Sequence, residues 1–348
     1  MFKLRRFLKD YKLQLIVGPL CKLFEAVLEL LVPLVMASII DNGILKGDSS
    51  YVMKMGGALV LLSIVGLSSA LVCQYMASYT SQGVGTKIRT ALFGHISSLS
   101  HRELDELTTP SLITRMTSDI NLVQANIAMT MRLLLRAPFL IIGALVMSCF
   151  IDLQLSLIFL GATVIIGLIL WLVMTRSLGF FKKIQGKLDR LSLLSRENLE
   201  GNRVIRAFSK QEAQKKAFEK ETEELSRLTV RVGRLSALLN PATYAVTYIA
   251  FILILWFGGV KVGEGTLLSG DIVALTSYMT QILLAMIVLA NLVVLLSKGS
   301  AGASRINTVF EVKPSVTEKT SKYVEPVLNA PAVEFENVDF SYGIRMKS

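Results

Sequence analysis

Cysteine and histidine are scarce in this chain of 348 residues, which contains three cysteines and two histidines. Cys21, Cys73 and Cys149 are far apart in apolar stretches, a distribution typical of small hydrophobic side chains packed in a core. His95 and His101 have no ligand-like partners near them in the sequence. We therefore expect neither a disulfide framework nor a metal site.

Acidic residues are outnumbered, since 26 Asp and Glu stand against 37 Lys and Arg, and the net charge is +11. In a soluble protein, such an excess can indicate a nucleic-acid partner. Here residues 176–234 hold 15 of the Lys and Arg residues, whereas three short loops expected on the other side of a membrane hold only Lys46, Lys54 and Lys261. This asymmetry is the positive-inside pattern of membrane proteins, so we expect no nucleic-acid partner.

Hydrophobic residues are abundant, at 52% of the chain, and the mean hydropathy is +0.56. They cluster in runs that approach or exceed the roughly 20 residues needed to cross a bilayer. The pattern predicts an all-α polytopic protein of the cell membrane with six spans and both ends in the cytosol. The expected spans are approximately residues 13–40, 55–77, 133–150, 155–175, 241–260 and 271–296.

A long polar segment, residues 178–240, separates the fourth and fifth spans. On both sides of residues 201–208, apolar residues recur at alternating steps of three and four, which places them on one face of a helix. The segment therefore predicts two packed helices of about 25 residues, each roughly 35–40 Å long at the rise of an α-helix. The region between spans two and three predicts a second helical hairpin of this kind.

The composition changes after the sixth span. Residues 1–312 form the expected transmembrane domain, and residues 313–331 are rich in Pro, Ser, Thr, Lys and Glu, as in a linker. Residues 333–342 alternate apolar and polar side chains, with an interruption at Glu336 and Asn337, which predicts a short β-hairpin. We interpret residues 332–348 as the truncated start of a soluble domain, because so few residues cannot form a core.

The ordered set of motifs resembles one subunit of a multidrug-type ATP-binding-cassette (ABC) exporter, comprising the transmembrane domain and the first residues of the nucleotide-binding domain. The resemblance covers nearly the whole chain. The patches that carry it are Phe24 to Pro33 with Ile40-Asp41-Asn42-Gly43, Leu112 to Asp119 with Val123-Gln124, Arg196 to Phe208, Gly258-Gly259 with Ser269 to Ala274 and Tyr278, Ala303 to Ile306, and Val333 to Tyr342.

The resemblance implies a dimer with a second exporter subunit, identical or different, that moves amphipathic drugs or lipids across the bilayer by alternating access. It implies two coupling helices, near residues 106–115 and 201–212, the second of which would reach the nucleotide-binding domain of the partner. It also implies ATP and Mg²⁺ as cofactors of the complete protein, with Tyr342 stacking on adenine. The implied coupling residues are Glu106, Pro110, Ser111, Arg115, Gly201, Arg203, Val204, Arg206 and Phe208.

The chain also departs from the family pattern. It has no Gly-x-x-x-x-Gly-Lys-Ser/Thr phosphate loop, no magnesium carboxylate and no catalytic glutamate. We therefore do not expect this chain alone to hydrolyse ATP. An alternative interpretation is a truncated, non-catalytic subunit that pairs with a complete subunit as an inert or regulatory partner. Pro110 stands where the family has a glycine, which stiffens the first coupling region.

Glu25 and Glu29 lie one helical turn apart in the first span, so they share a face. Carboxylates at membrane depth are costly and are often functional. One hypothesis is that they line the substrate cavity and contact a cationic substrate. The alternative is a structural role in which they pair within the chain, with Lys22 one turn before Glu25. The sequence leaves both open. Arg203 and Arg206 are likewise either solvated charges or part of a docking surface.

Overall fold

The computed structural model describes residues 2–315 and 335–338, and the described part of the chain is almost entirely helical. A 3₁₀ helix, Phe2–Tyr11, precedes the first α-helix. The α-helices are α1 (Lys12–Ser38), α2 (Ser49–Ser97), α3 (His101–Leu107), α4 (Thr109–Thr114), α5 (Ile120–Leu133), α6 (Arg136–Ile151), α7 (Leu153–Glu200), α8 (Asn202–Ala207), α9 (Gln211–Ala237), α10 (Leu239–Gly263) and α11 (Ser269–Glu311). Two π-helical turns, Ile39–Ile44 and Arg115–Asp119, follow α1 and α4.

Within the described residues, six helical units are long and apolar enough to cross a membrane, which confirms the prediction of an all-α protein with six spans. They are Arg6–Ile44, Ser49–Ser97, Thr109–Ile151, Leu153–Glu200, Gln211–Gly263 and Ser269–Glu311. Each contains one of the expected spans and continues well beyond it. The extra length explains how two helical hairpins project from a bundle that needs only about 20 residues per crossing.

Consecutive long helices alternate in direction, so their connections fall at two opposite ends. The loop end carries residues 45–48, Asp152 and residues 264–268. The hairpin end carries the α3–α4 connection and α8. Contacts tie the loop end together: the ammonium of Lys261 binds the Asp152 carboxylate, and the Gly270 N–H donates to Asp41 Oδ1 at 2.7 Å.

Within the described residues, two apolar cores hold α1, α2, α5, α6, α7, α10 and α11 together. The core nearer the loop end is built around Phe159, Ile254 and Tyr278, all fully buried. The Tyr278 hydroxyl donates to the carbonyl oxygen of Leu30 at 2.7 Å, so the buried phenol keeps a hydrogen bond. The core nearer the hairpin end joins the extended part of α2 to α5 and α11 through Ile88 and Ile306.

Helices α7 and α9 pack side by side, as the three-four spacing of apolar residues predicts. The Lys187 ammonium lies 2.9 Å from the Glu221 carboxylate and also binds Glu224, so one cation crosslinks the pair. The packing partners of α9 in the described chain are α7 and α10. Phe181, Leu188 and Phe218 remain exposed along the hairpin formed by α7, α8 and α9.

The tight turns at the hairpin end use unusual backbone angles. Thr108, between α3 and α4, has φ 59°, and Ser209, between α8 and α9, has φ 51°. Non-glycine residues seldom adopt positive φ, so both turns are held by the helices on either side. Residues 335–338, the described part of the expected β-hairpin, form a bend in which Asn337 has φ 46°. The strand residues on either side lie outside the described residues.

Candidate functional site

The first expected coupling region is a chain reversal built from two short helices. Helix α3 begins with a capping box, in which Glu103 accepts hydrogen bonds from the N–H and hydroxyl groups of Ser100. Pro110 lies in the first turn of α4, where its missing N–H costs no hydrogen bond. Glu106 and Ser111 lie on either side of the turn, and Glu106 makes only an exposed contact with Arg102 at 3.6 Å. The reversal therefore has a defined backbone and a polar surface.

Arg115 begins the π-helical turn after α4, and its Nε and Nη1 atoms are buried without a hydrogen-bond partner in the described residues. The same turn ends at Asp119, which is only 2% exposed and accepts from Arg305 Nε at 2.8 Å. Because Arg305 belongs to the last part of α11, this ion pair joins the first expected coupling region to the helix that leads into residues 313–331.

A second connection joins the same two elements through the capping box. The Ser100 hydroxyl lies 2.9 Å from the hydroxyl of Ser315, which follows α11. Hydrogen bonds from Ser100, followed by those from Ser315, lower the pKa of Glu103 from its ordinary value to about 2. The carboxylate is therefore ionised at neutral pH and accepts hydrogen bonds from both segments.

This arrangement predicts a pH dependence. A carboxyl group whose pKa is lower in the folded state stabilises the fold above its unfolded pKa of about 4.3, and the contribution is lost as pH falls towards 2. We expect Glu103→Gln to lower the thermal midpoint of the detergent-solubilised protein at pH 7, and the difference from wild type to shrink below pH 4. Glu106→Gln, at an exposed position in the same helix, is the control. An equal effect of Glu103→Gln at all pH values would contradict the assignment.

The second expected coupling region is α8, at the tip of the hairpin. Gly201 ends α7 and begins α8, and its N–H donates to the Glu197 carbonyl at 2.8 Å. Val204 is 60% exposed and Phe208 is 71% exposed. Arg203 and Arg206 are exposed beside them. Large apolar side chains exposed together with arginines are typical of protein interaction surfaces, and the coupling role of these residues stays a prediction.

A cluster of charged side chains lies at membrane depth between α1, α2, α5 and α6. The ammonium of Lys22 lies 2.6 Å from Glu25, and Arg136 Nη2 lies 2.7 Å from Glu29. Arg132 Nη2 donates to the Ser78 hydroxyl at 2.9 Å. Both glutamates thus hold a cation of the chain itself. A role for Glu25 and Glu29 in the substrate cavity stays a prediction.

Sequence reasoning missed Ser78, Arg132 and Arg136. The signal available was the pair of arginines spaced four residues apart at the start of the third apolar run, since cations inside a span are costly and seldom incidental. Their partners could not be identified from sequence, because Ser78 lies 54 residues before Arg132 and Glu29 lies 107 residues before Arg136.

Tyr342, the residue expected to stack on adenine, lies outside the described residues. The sequence contains no phosphate-loop motif that could hold the nucleotide. Within residues 2–315 and 335–338, no three His, Cys, Asp or Glu side chains come close enough together to hold a metal ion.

Comparison with known proteins adds independent support for the family. Residues 15–286 match the family model described as the ABC transporter transmembrane region. The chain is 30% identical to the uncharacterized ABC transporter ATP-binding protein YfiB of Bacillus subtilis (strain 168), over 98% of this chain and 59% of that protein. It is 23% identical to the ATP-dependent lipid A-core flippase of Yersinia pestis, over 96% of this chain and 57% of the flippase.

A further relative is the uncharacterized ABC transporter ATP-binding protein Rv1273c of Mycobacterium tuberculosis, 29% identical over 88% of this chain and 53% of that protein. The chain spans somewhat more than half the length of the relatives it matches. The family-model match covers most of the chain and coincides with the six long helices. The chain belongs to the ABC transporter family and contains its transmembrane region.

Proposed function

We propose that this chain is the membrane-spanning part of an ATP-driven exporter subunit that moves amphipathic drugs or lipids out of the cytosol. The observation that carries the proposal is the hairpin of α7, α8 and α9. Its helices continue two membrane spans far beyond the bilayer and end in a tip that exposes Val204 and Phe208. A long helical extension with an exposed apolar tip is suited to contact a separate domain and to move with it.

In this proposal, the hairpin end lies in the cytosol. The support is the distribution of charge, because residues 176–234 at this end hold 15 Lys and Arg, whereas the connections at the loop end hold Lys46, with Lys54 and Lys261 in the adjoining helices. Both coupling regions, the α3–α4 reversal and α8, would then face the same compartment as the ATP pool. Both ends of the chain would also lie there.

The proposed functional unit is a dimer with a second exporter subunit. The support is the hairpin, whose helix α9 packs mainly on α7 and α10 in the described chain. Phe181, Leu188 and Phe218 are exposed along it, and covering them would bury apolar surface that is otherwise in water. Either an identical or a related subunit could cover these residues.

The proposed mechanism is rigid-body gating. ATP, bound by nucleotide-binding domains of the family, supplies the free energy for domain closure. The residues of this chain transmit the movement: α8 receives it, the Lys187 ion pairs keep α7 and α9 together, and the Asp119–Arg305 pair links the first coupling region to α11. The contacts of Asp41 and Asp152 at the loop end must then break for the pathway to open outwards.

A transport assay with the complete subunit tests the proposal. Inside-out vesicles would contain a fluorescent phospholipid analogue in the outer leaflet, which corresponds to the cytosolic leaflet of the cell. We expect ATP to move the analogue to the inner leaflet, and we expect a non-hydrolysable ATP analogue to fail. A screen of cationic, neutral and anionic amphiphiles in which none is moved by ATP would refute the export function.

A further inference from the structure

The charged cluster between α1, α2, α5 and α6 carries one positive charge in excess. Lys22, Arg132 and Arg136 provide three cations, and Glu25 and Glu29 provide two carboxylates. Each carboxylate is bound to a cation, and the remaining cation, Arg132, donates to the neutral hydroxyl of Ser78 at 2.9 Å. Lys22, Glu25 and Arg132 all lie near the Cys73 thiol of α2.

The two arginines also keep unused hydrogen-bond donors. The Nε atoms of Arg132 and Arg136 are both buried, and neither has an acceptor among the described residues. An unsatisfied buried donor destabilises the folded chain, and more strongly when the group is charged. The arginines are four residues apart, which places them on neighbouring turns of the same stretch of chain. Both donors therefore lack an acceptor that a ligand oxygen could supply.

The position of the cluster follows from the helix rise of about 1.5 Å per residue. Glu29 and Arg136 each lie 15 residues from the loop end of their helical unit, which is roughly 22 Å into a hydrocarbon layer of about 30 Å. Lys22, Glu25 and Arg132 lie near the opposite edge of that layer. The charged side chains thus extend in a row from the membrane edge nearer the hairpin end towards the middle of the bilayer.

The cluster does not face the surrounding lipid. The exposed apolar stripe of α1 contains Leu20, Phe24, Val27 and Leu31. At about 100° per residue, Lys22, Glu25 and Glu29 project to the opposite side of the helix. The side chain of Glu29 nevertheless remains 36% exposed and that of Arg136 remains 23% exposed. These groups are therefore accessible on a side of α1 that differs from its exposed apolar stripe.

We propose that Arg132 and Arg136 bind the oxyanion headgroup, phosphate or carboxylate, of an amphipathic substrate that enters from the membrane edge nearer the hairpin end. This inference deepens the proposed function, on which it rests, by naming the substrate class. The Glu29 carboxylate positions the Arg136 guanidinium. Glu25 binds Lys22 and so limits the net positive charge of the cluster. A cationic substrate would have to displace Lys22 or Arg136 from its carboxylate. An anion, in contrast, can accept hydrogen bonds from arginine N–H groups that have no other acceptor.

Binding to the purified chain tests the site directly, without nucleotide. In uncharged maltoside micelles, isothermal titration compares dodecyl phosphate, dodecanoate, dodecyltrimethylammonium and inorganic phosphate. We expect the two anionic amphiphiles to bind and the cationic one to bind at least about tenfold more weakly. Inorganic phosphate should not bind measurably, because it has no apolar tail. Equal binding of inorganic phosphate and dodecyl phosphate would overturn the proposal of an amphiphile site.

Arg132→Gln removes the charge that has no carboxylate partner, and we expect it to weaken dodecyl phosphate binding at least about tenfold. Arg102→Gln, at an exposed position in α3, removes the same charge elsewhere and should have no effect. The double variant Glu29→Gln/Arg136→Gln avoids a lone buried charge and should also lose binding. Wild-type affinity for dodecyl phosphate in both site variants would overturn the proposal. So would tighter binding of dodecyltrimethylammonium than of dodecyl phosphate, if Glu29→Gln abolished it.

The two hypotheses can fail separately. If the complete subunit moves no amphiphile with ATP but the chain binds dodecyl phosphate through Arg132, the export function is refuted and the anion site stands. If ATP moves amphiphiles irrespective of their charge and the chain does not select dodecyl phosphate, the export function stands and the anion site is refuted.

Discussion

Replacing Val204 and Phe208 together by aspartate is expected to reduce ATP-dependent transport by the complete subunit at least about tenfold, because a few anchoring side chains carry most of the energy of an interface. Both side chains are exposed at the tip of the hairpin, so their replacement removes no core packing. The carboxylates would oppose insertion of the tip into any apolar pocket and would offset the charge of Arg203 and Arg206. The measurement is the initial rate of lipid-analogue translocation, normalised to the amount of protein in the vesicles.

The matched control is Val230→Asp. Val230 is also an exposed apolar residue of the hairpin, but it lies in α9, 19 residues from the start of that helix and roughly 28 Å from the tip along its axis. This variant should transport at close to the wild-type rate. Elution of all three proteins as single symmetric peaks would show that they are folded. Wild-type transport by the aspartate double variant would exclude α8 as a coupling element.

Gly270→Ala is expected to lower the thermal midpoint by about 10 °C or more, since the backbone there is in direct contact with α1. A Cβ at this position would overlap the carbonyl oxygen of Ala37 and the carboxylate of Asp41. The Gly270 N–H also donates to Asp41 at 2.7 Å, and Asp41 is buried, so any movement that relieves the overlap also strains a charge-assisted hydrogen bond. The measurement is the fraction of protein that stays monodisperse after heating.

Gly259→Ala provides the comparison, because a Cβ at Gly259 in α10 meets no atom within 4 Å. This change should be neutral or slightly stabilising, since alanine is favoured over glycine inside a helix by up to about 1 kcal/mol. If both alanine variants unfold at the same temperature as the wild type, the close approach of α11 to α1 at the loop end is wrong.

The long helices and their pairing could be predicted from the sequence, because both depend on local patterns. Apolar runs of sufficient length specify the spans, and the three-four spacing that includes Ile184 and Leu191 predicts the pairing of the hairpin helices. The same stripe also contains Phe181 and Leu188, which remain exposed in the structure. The excess of Lys and Arg in residues 176–234 is also apparent from the sequence alone. Helix α3 was harder to predict, since residues 101–109 are polar and the capping interaction of Ser100 with Glu103 decides the outcome.

The charged cluster was only partly predictable. Glu25 and Glu29 stand out as carboxylates in an apolar span, and Lys22 at i−3 suggests the partner of Glu25. The pairing of Glu29 with Arg136 depends on how α1 packs against α6, which a single sequence does not specify. The same holds for Asp41 and Gly270, which are 229 residues apart. Contacts between distant segments are therefore the part of the candidate site that required the structure.

The central claim is that membrane helices continue into the cytosol and end at α8, and the sidedness of Phe208 tests it most directly. Cysteine would be introduced as Phe208→Cys in a variant whose Cys21, Cys73 and Cys149 are replaced by alanine. A membrane-impermeant maleimide should label this cysteine in inside-out vesicles and not in intact cells. The control Lys46→Cys, at the loop end, should show the reverse. Labelling of Phe208→Cys from the outside of intact cells would contradict the account.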